Sequence, residues 1–364
     1  MCIVRKNIKK YNLVILTKEH INMKKYLLPE TGNFYKANLH CHTTMSDGQK
    51  TPEEIKELYM KKGYSIVAYT DHDVFILHND LTDENFLAMN GFEVEVMDWY
   101  GRHPLRDCKV CHLCFVALDK NIEMHPLWHR EKHVWGDALK VKHLVKFDDT
   151  LQNYSWTYSP ECLTEMMEIG KKEGFFVTYN HPNWSKETYE QYSKYHGMHA
   201  MEILNGNCIA TGYEDYNPRV YDDFLRLGEK IYCIGADDNH NDRPDDVRQC
   251  DSGWAWTTIK ADKLDYETIS DALLKGHFYA SEGPEIYDLY VEDGKVHIKC
   301  SPADRVICTY EKRGAGAKFA EIGGEPVTEV AFDANPDYGY FRITVRDERG
   351  NVACTNAYFP EDYL

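Results

Sequence analysis

Residues 36–73 read KANLHCHTTMSDGQKTPEEIKELYMKKGYSIVAYTDHD. The β-type run Tyr35–His40 delivers His40-Cys41-His42, and Asp47 stands just before Gly48. Thr51-Pro52-Glu53-Glu54 follows, an N-cap hydroxyl, a proline at the first helical position and a capping-box glutamate, with Gly63 to end the helix. A second β-type run, Ser65–Thr70, leads into Asp71-His72-Asp73. Strand, capped helix, strand is a βα unit and predicts neighbouring parallel strands. Histidines and aspartates at the carboxyl ends of both strands stand where βα barrels assemble active sites.

The same alternation continues outward. Phe92–Met97, His112–Leu118, Phe175–Asn180, Ala200–Leu204, Tyr232–Ala236 and Gly253–Ile259 are further strand candidates. Ser159-Pro160-Glu161 opens a helix that closes at Gly174, and Asn217-Pro218 opens one that closes at Gly228. Past Gly283-Pro284 the texture becomes short β-type runs (289–292, 295–300, 306–310, 329–333 and 339–345) between glycine-rich turns. The expected division is an N-terminal extension over 1–30, an α/β barrel over 31–283, and a small antiparallel, sandwich-like β domain over 284–364. That last module reads as a cap or oligomerisation surface, since no aromatic stripe marks it as a glycan binder. The segment 119–153 has no clear pattern, and a loop of that length is usually functional.

Lys+Arg 42 against Asp+Glu 59 gives a net charge of −17, which argues against a nucleic-acid partner. No apolar run is long enough for a membrane span, and the N-terminus has only the short apolar piece Leu13–Leu16, with Met23 as an alternative start. Twelve scattered cysteines read as reduced thiols, so the expected location is the cytoplasm.

The chemistry lies in the polar residues at the strand ends. Alternation on a strand turns His40 and His42 to one face, where they can share an ion, and Asp238 and His240 repeat the spacing. A carboxylate such as Glu93 can bridge two cations, and such a pair activates water and clamps transition-state oxygens. Mixed imidazole and carboxylate donors suit zinc, manganese or iron. One histidine in a strand is ordinarily structural; recurrence beside acidic residues in separate segments is what points to a metal cluster.

The ordered series NLHCHTTMSDG, YTDHD, GFEVEV, CHLCFVALD, YNHPNW, MEILNG and GADDNH resembles the PHP (polymerase and histidinol phosphatase) superfamily over about residues 36–282. GHFYASEGPEI followed by a β module resembles its branch of carbaryl-hydrolase-like CehA/McbA metallohydrolases. The resemblance implies a distorted (β/α)7 barrel with two to three divalent ions. The first ion would take His40, His42, Glu93 and Asp238; the second would share Glu93 and add His112 and His181; the third would take Asp47, His72 and His240. Of the pair Asp237-Asp238, Asp238 is chosen because it forms D-x-H with His240. Glu93, Asp238 and His240 are then expected at the reacting atoms, with Asp71, Asp73, Glu202 and Asn205 supporting the ligands from behind.

Other signals are weaker. Cys108, Cys111 and Cys114 form C-x2-C-x2-C, but a fourth cysteine is missing nearby. His125, His129 and His133 at i, i+4 spacing suggest a short helix, either a solvated face or a lid over an anionic substrate. His129, His133 and Arg243 are the candidate substrate contacts, with Arg248 beside them. The expected activity is hydrolysis of a small-molecule phosphoester, a hydroxide between the first two ions attacking phosphorus. Its rivals are carboxylic or carbamic ester hydrolysis at the same cluster, and a metal-stabilised binding module like those attached to DNA polymerases.

Overall fold

The computed structural model describes residues 24–98 and 108–364. Leu13–Leu16 and the alternative start at Met23 lie outside them. The fold is mixed α/β. Its first strands are β1 (Lys25–Tyr26), β2 (Asn33–Asn38), β3 (Ile66–Tyr69), β4 (Leu87–Met97) and β5 (Val110–Ala117). They are followed by β6 (Phe175–Tyr179), β7 (Ala200–Asn205), β8 (Tyr232–Ala236), β9 (Trp256–Ala261) and β10 (Phe278–Ser281). From β2 to β8 the strands lie side by side in chain order. Beyond the ends of β2 and β8 the two chain segments meet: Asp238 N donates to His40 O (3.0 Å) and His42 N to Asn239 O (3.1 Å). The H-x-H and D-x-H segments are therefore neighbours.

The helices begin where the sequence predicts. Thr51 caps Pro52–Lys61 in a full capping box, and Ser159 Oγ caps Pro160–Lys172 by accepting from Cys162 N. The expected all-parallel order does not hold. The pairs β2–β3–β4 and β6–β7–β8 are parallel, but β5 runs antiparallel to both β4 and β6, and β9 runs antiparallel to β2. Between Met97 and Val110 the chain has only twelve residues, the lower limit for a helical crossover, and β5 returns antiparallel beside β4. This reversal has a consequence for the site. His112 lies near the amino end of β5, and the antiparallel direction brings that end to the rim where β3, β6 and β8 end.

The segment 119–153 is an ordered lobe rather than an unpatterned loop. It contains the short helix Ala138–Val141 and packs Trp128, Ala138 and Val145 on Val74. Residues 125–133 form turns, so the expected helix of histidines is absent.

After Pro284 come β11 (Ile286–Glu292), β12 (Lys295–Ala303), β13 (Arg305–Tyr310), β14 (Ala315–Phe319), β15 (Val327–Asp333), β16 (Phe341–Arg346) and β17 (Val352–Thr355). All pair antiparallel, yet they do not stand apart from the larger body. β17 pairs with β10, so β13, β14, β16 and β17 extend the same sheet that carries the site. Arg342 on β16 makes a buried two-pronged pair with Asp222 (2.8 and 2.9 Å). β1, placed by the sequence in an N-terminal extension, pairs with β11, and Leu27 and Leu28 are buried in the core there. Among the described residues no helix is long and apolar enough to cross a membrane.

Candidate metal centre

The nine residues, from six separate segments of the chain, converge on one cavity of about 260 Å³. Asp47, His72, His112, His181, Asp238 and His240 line it, and His40, His42 and Glu93 form a floor with no solvent exposure. Glu93, inside β4, is at the centre. Its Oε1 meets His40 Nε2 (3.1 Å), His112 Nδ1 (3.1 Å) and His181 Nε2 (3.5 Å), while Oε2 meets His42 Nε2 (3.2 Å) and His72 Nδ1 (3.3 Å). Asp238 Oδ1 lies 3.2 Å from both His40 Nε2 and His42 Nε2. Asp47 reaches His42, His72 and His240 at 3.6, 3.8 and 3.5 Å.

The donor chemistry fits cations. His40 Nδ1 donates to Glu202 Oε1 (2.7 Å), so a neutral His40 presents a lone pair at Nε2. That lone pair faces His42 Nε2 at 3.0 Å and two carboxylate oxygens, and acceptors so close repel unless positive charge stands among them. Donors about 2.0–2.2 Å from a shared ion lie roughly 3.0–3.4 Å from each other, the spacing seen here. Groups able to hold an ion are His40/His42/Glu93/Asp238, Glu93/His112/His181, His42/Asp47/His72/His240 and His40/His181/Glu202. The cluster can bind divalent metal.

Its electrostatics have the same cause. Burial opposes charge throughout, but Asp238 and Glu93 raise the His42 imidazole to about 10, and carboxylates likewise hold His40 and His112 well above the usual imidazole range. Burial disfavours the Glu93 carboxylate, yet the surrounding imidazoles keep it well below its ordinary value. His72 falls to about 4 through burial and the neighbouring His42. Without metal, protons provide the positive charge.

Supporting residues fix the cluster. Glu202 Oε2 accepts from His181 N (2.9 Å) and Asn205 Nδ2 (2.9 Å), and Asn205 Nδ2 lies 3.4 Å from Asp238 Oδ2. The Asp71 carboxylate accepts from Thr43 N and from Ser46 Oγ and so shapes the turn after His42, while its carbonyl accepts from Glu93 N (3.2 Å). Asp73 N donates to Glu93 O (2.7 Å), but its carboxyl is buried without a partner, and burial and Glu95 push it up. Asp237 turns away and accepts the Gly253, Trp254 and Ala255 N–H groups, leaving Asp238 toward the cluster. Asp238 (φ +53°), His181 (+24°) and Asp73 (+58°) occupy the left-handed region, which costs a non-glycine residue about 1–3 kcal/mol and concentrates at functional sites. Asp238 thus reaches the cluster through a backbone kink, not through strand alternation.

The sequence reading passed over several residues. Glu95 accepts from His112 Nε2 (3.2 Å), and its position two after Glu93 on one strand was the available signal. Asp251 accepts from His240 N (2.7 Å) and Asn241 N. Trp135 lies 5.3 Å from the His72 ring and Trp184 5.1 Å from His112. Three expected contacts change. His129 Nδ1 accepts from Glu131 and Lys132 N–H groups in a turn, and Arg243 is exposed; neither lines the cavity. His133 stands on an adjoining cavity against Trp156 (3.7 Å between ring centres). Cys111 and Cys114 are buried free thiols on β5, and their odd spacing puts them on opposite faces, unsuited to one ion.

No protein-family model matches the chain, and no curated protein matches it significantly. Among solved structures it is similar to a two-domain protein from Bacteroides vulgatus containing a predicted PHP-like metal-dependent phosphoesterase. That likeness has 15% identity over 92% of this chain and 98% of the other, with a TM-score of 0.42. It is also similar to an amidohydrolase from Chromobacterium violaceum with bound sulfate, at 15% identity over 59% of this chain and 93% of the other, TM-score 0.34. Overlaps this loose carry no argument about activity, which rests on the residues themselves.

Proposed function

We propose that this chain is a metal-dependent hydrolase of the PHP type, built on a distorted (β/α)7 barrel, that cleaves a phosphoester of a small molecule. The observation carrying it is Glu93, fully buried and ringed by five imidazoles beneath an open cavity. His40, His42, Glu93 and Asp238 would hold one ion, Glu93, His112 and His181 a second, and Asp47, His72 and His240 a third. Zinc, manganese or iron held there would supply Lewis acidity and a source of hydroxide at neutral pH. The chain's own part is orientation: Glu202 fixes the His40 tautomer, Asn205 steadies Asp238, and Glu95 fixes His112. His240, the more exposed imidazole at the rim, keeps its Nδ1–H on Asp238 O (3.0 Å) and so would offer Nε2 to that third ion beside the leaving oxygen.

One observation favours hydrolysis of a carboxylic or carbamic ester instead. The cavity is lined by Asp47, Glu95, Asp238, Asp242 and Asp251, and among the described residues by no lysine or arginine. A phosphate would therefore rely on the cations alone. The deciding experiment is a screen of the metal-reconstituted protein against phosphomonoesters, cyclic phosphodiesters and aryl esters. The phosphoester reading expects phosphate release and competitive inhibition by inorganic phosphate. Strong aryl-ester turnover with no phosphate released from any phosphoester would establish the rival. The acidic net charge of −17 counts against a polymerase-associated module. The cytoplasm remains the proposed location, and the β module the proposed cap.

A further inference from the structure

Beside the metal cavity lies a second cavity of about 380 Å³, walled by Glu95, Met97, His133, Trp135, Trp156 and Tyr158. Glu95 and Trp135 line both, so the two spaces share a wall. On the metal side, Glu95 holds His112 and Trp135 stands over His72. A dry cavity of about 150 Å³ suffices for benzene, so this one has room for a ring and its substituents. Its walls are set in advance. His133 stacks on Trp156 with ring planes 19° apart, Tyr158 OH donates to Glu187 Oε1 (2.6 Å), and Gln191 Nε2 donates to Tyr158 (2.9 Å). Burial keeps His133 neutral, lowering it to about 4. The carboxylates on the wall are Glu95 and Asp98, and among the described residues no lysine or arginine joins them.

We propose that this side cavity is the recognition site for the organic part of the substrate, and that this part is an aromatic group without negative charge, held between Trp135 and Trp156 while the scissile bond lies over the cluster. The assignment rests on the hydrolase reading above and adds the leaving-group class to it. Flat π faces and a thioether favour a ring, and wall carboxylates disfavour a second anion.

Metal-loaded protein is tested with phenyl phosphate and ethyl phosphate. Wild type should favour the phenyl ester in kcat/KM by more than the difference in leaving-group reactivity, measured as the ratio without enzyme. Trp156→Ala should cut the phenyl-to-ethyl ratio about tenfold with metal content retained, and Trp156→Phe should restore most of it. An unchanged ratio in Trp156→Ala overturns the proposal. Should that variant not fold, Thr157→Trp, which fills the cavity from an exposed wall position, decides by the same ratio. Calorimetry with phenylphosphonate and methylphosphonate should repeat the preference in binding alone. If no phosphoester turns over and neither phosphonate binds, the phosphoester reading has failed. The cavity is then judged by 4-nitrobenzyl alcohol: saturable quenching of tryptophan fluorescence, lost in Thr157→Trp, upholds it, and no quenching in wild type rejects it.

Discussion

Replacing Glu93 by glutamine keeps the shape of the side chain and removes the one charge that both proposed central ions share. The carboxylate is wholly buried, with His40, His112 and His181 around Oε1 and His42 and His72 around Oε2. Opposite unit charges 4 Å apart at an effective dielectric of about 20 attract by about 4 kcal/mol, and a coordinated divalent ion is closer and doubly charged. The loss should therefore be at least about a thousandfold in affinity for each ion that touches Glu93. Glutamine also turns an N–H₂ donor toward the imidazole lone pairs on one side. Wild type purified without chelator should give two to three transition-metal ions per chain on elemental analysis. Glu93→Gln should give about one or none after dialysis, with hydrolytic turnover at background, while circular dichroism shows the fold intact. Full metal content with wild-type turnover would refute the central placement of Glu93.

Metal should displace protons, because His40, His42 and His112 are charged at neutral pH in the metal-free cluster; their stabilisation of that form is complete below about pH 6.5 and, for His42, is lost as pH rises through about 10. Zinc titrations in buffers of different ionisation enthalpy should show net proton release at pH 7 and weaker binding at pH 6, and heats independent of buffer would contradict this. Arg342→Ala leaves the buried Asp222 carboxylate only the longer contacts of Tyr340 OH (3.4 Å) and Arg226 (3.9 Å) and should cost about 3 kcal/mol in denaturant unfolding, whereas Asp222→Leu with Arg342→Met should cost much less. Burial and the nearby Asp215 push Glu282 up to about 9, so its contribution is complete below the ordinary carboxyl range and is lost as pH rises through about 9. Glu282→Gln should therefore raise the melting temperature relative to wild type more at pH 9 than at pH 5; equal shifts at both would show that Glu282 does not titrate with folding.

What the sequence disclosed follows the range of the forces involved. Thr51 with Glu54, and Ser159 before Pro160, are local signals whose partners lie within one helical turn, so the helix starts were readable. His40, His42, Asp238 and His240 were readable because short spacings put chemistry beside strand ends. Strand direction was not, since pairing β5 with β4 depends on the path of the intervening chain rather than on the apolar run itself. Five of the seven strands after Pro284 were visible as β-type runs, but nothing local reveals that β17 hydrogen-bonds to β10. Asp73 was legible only in part for a similar reason. Its place beside His72 suggested a carboxylate behind the ligands, whereas a positive φ turns the carboxyl into the protein without a partner and leaves the backbone N–H to hold Glu93 O.

The reversed strand also links the two proposed sites. A βα barrel with only parallel strands places a loop at the rim after each strand. Here β4 runs on past Glu93 to Met97 and pairs with β5 along that extension, from Glu93–Cys114 to Met97–Val110. Strand alternation then turns Glu93, Glu95 and Met97 to the same face, at rising distance from the cluster floor. Glu93 lies among the histidines, Glu95 holds His112 and lines both cavities, and Met97 lines only the outer one. One strand face thus runs from the proposed chemistry to the proposed recognition site. A change at Met97 should accordingly alter substrate preference without altering metal content, whereas the same change at Glu93 cannot leave the metal untouched.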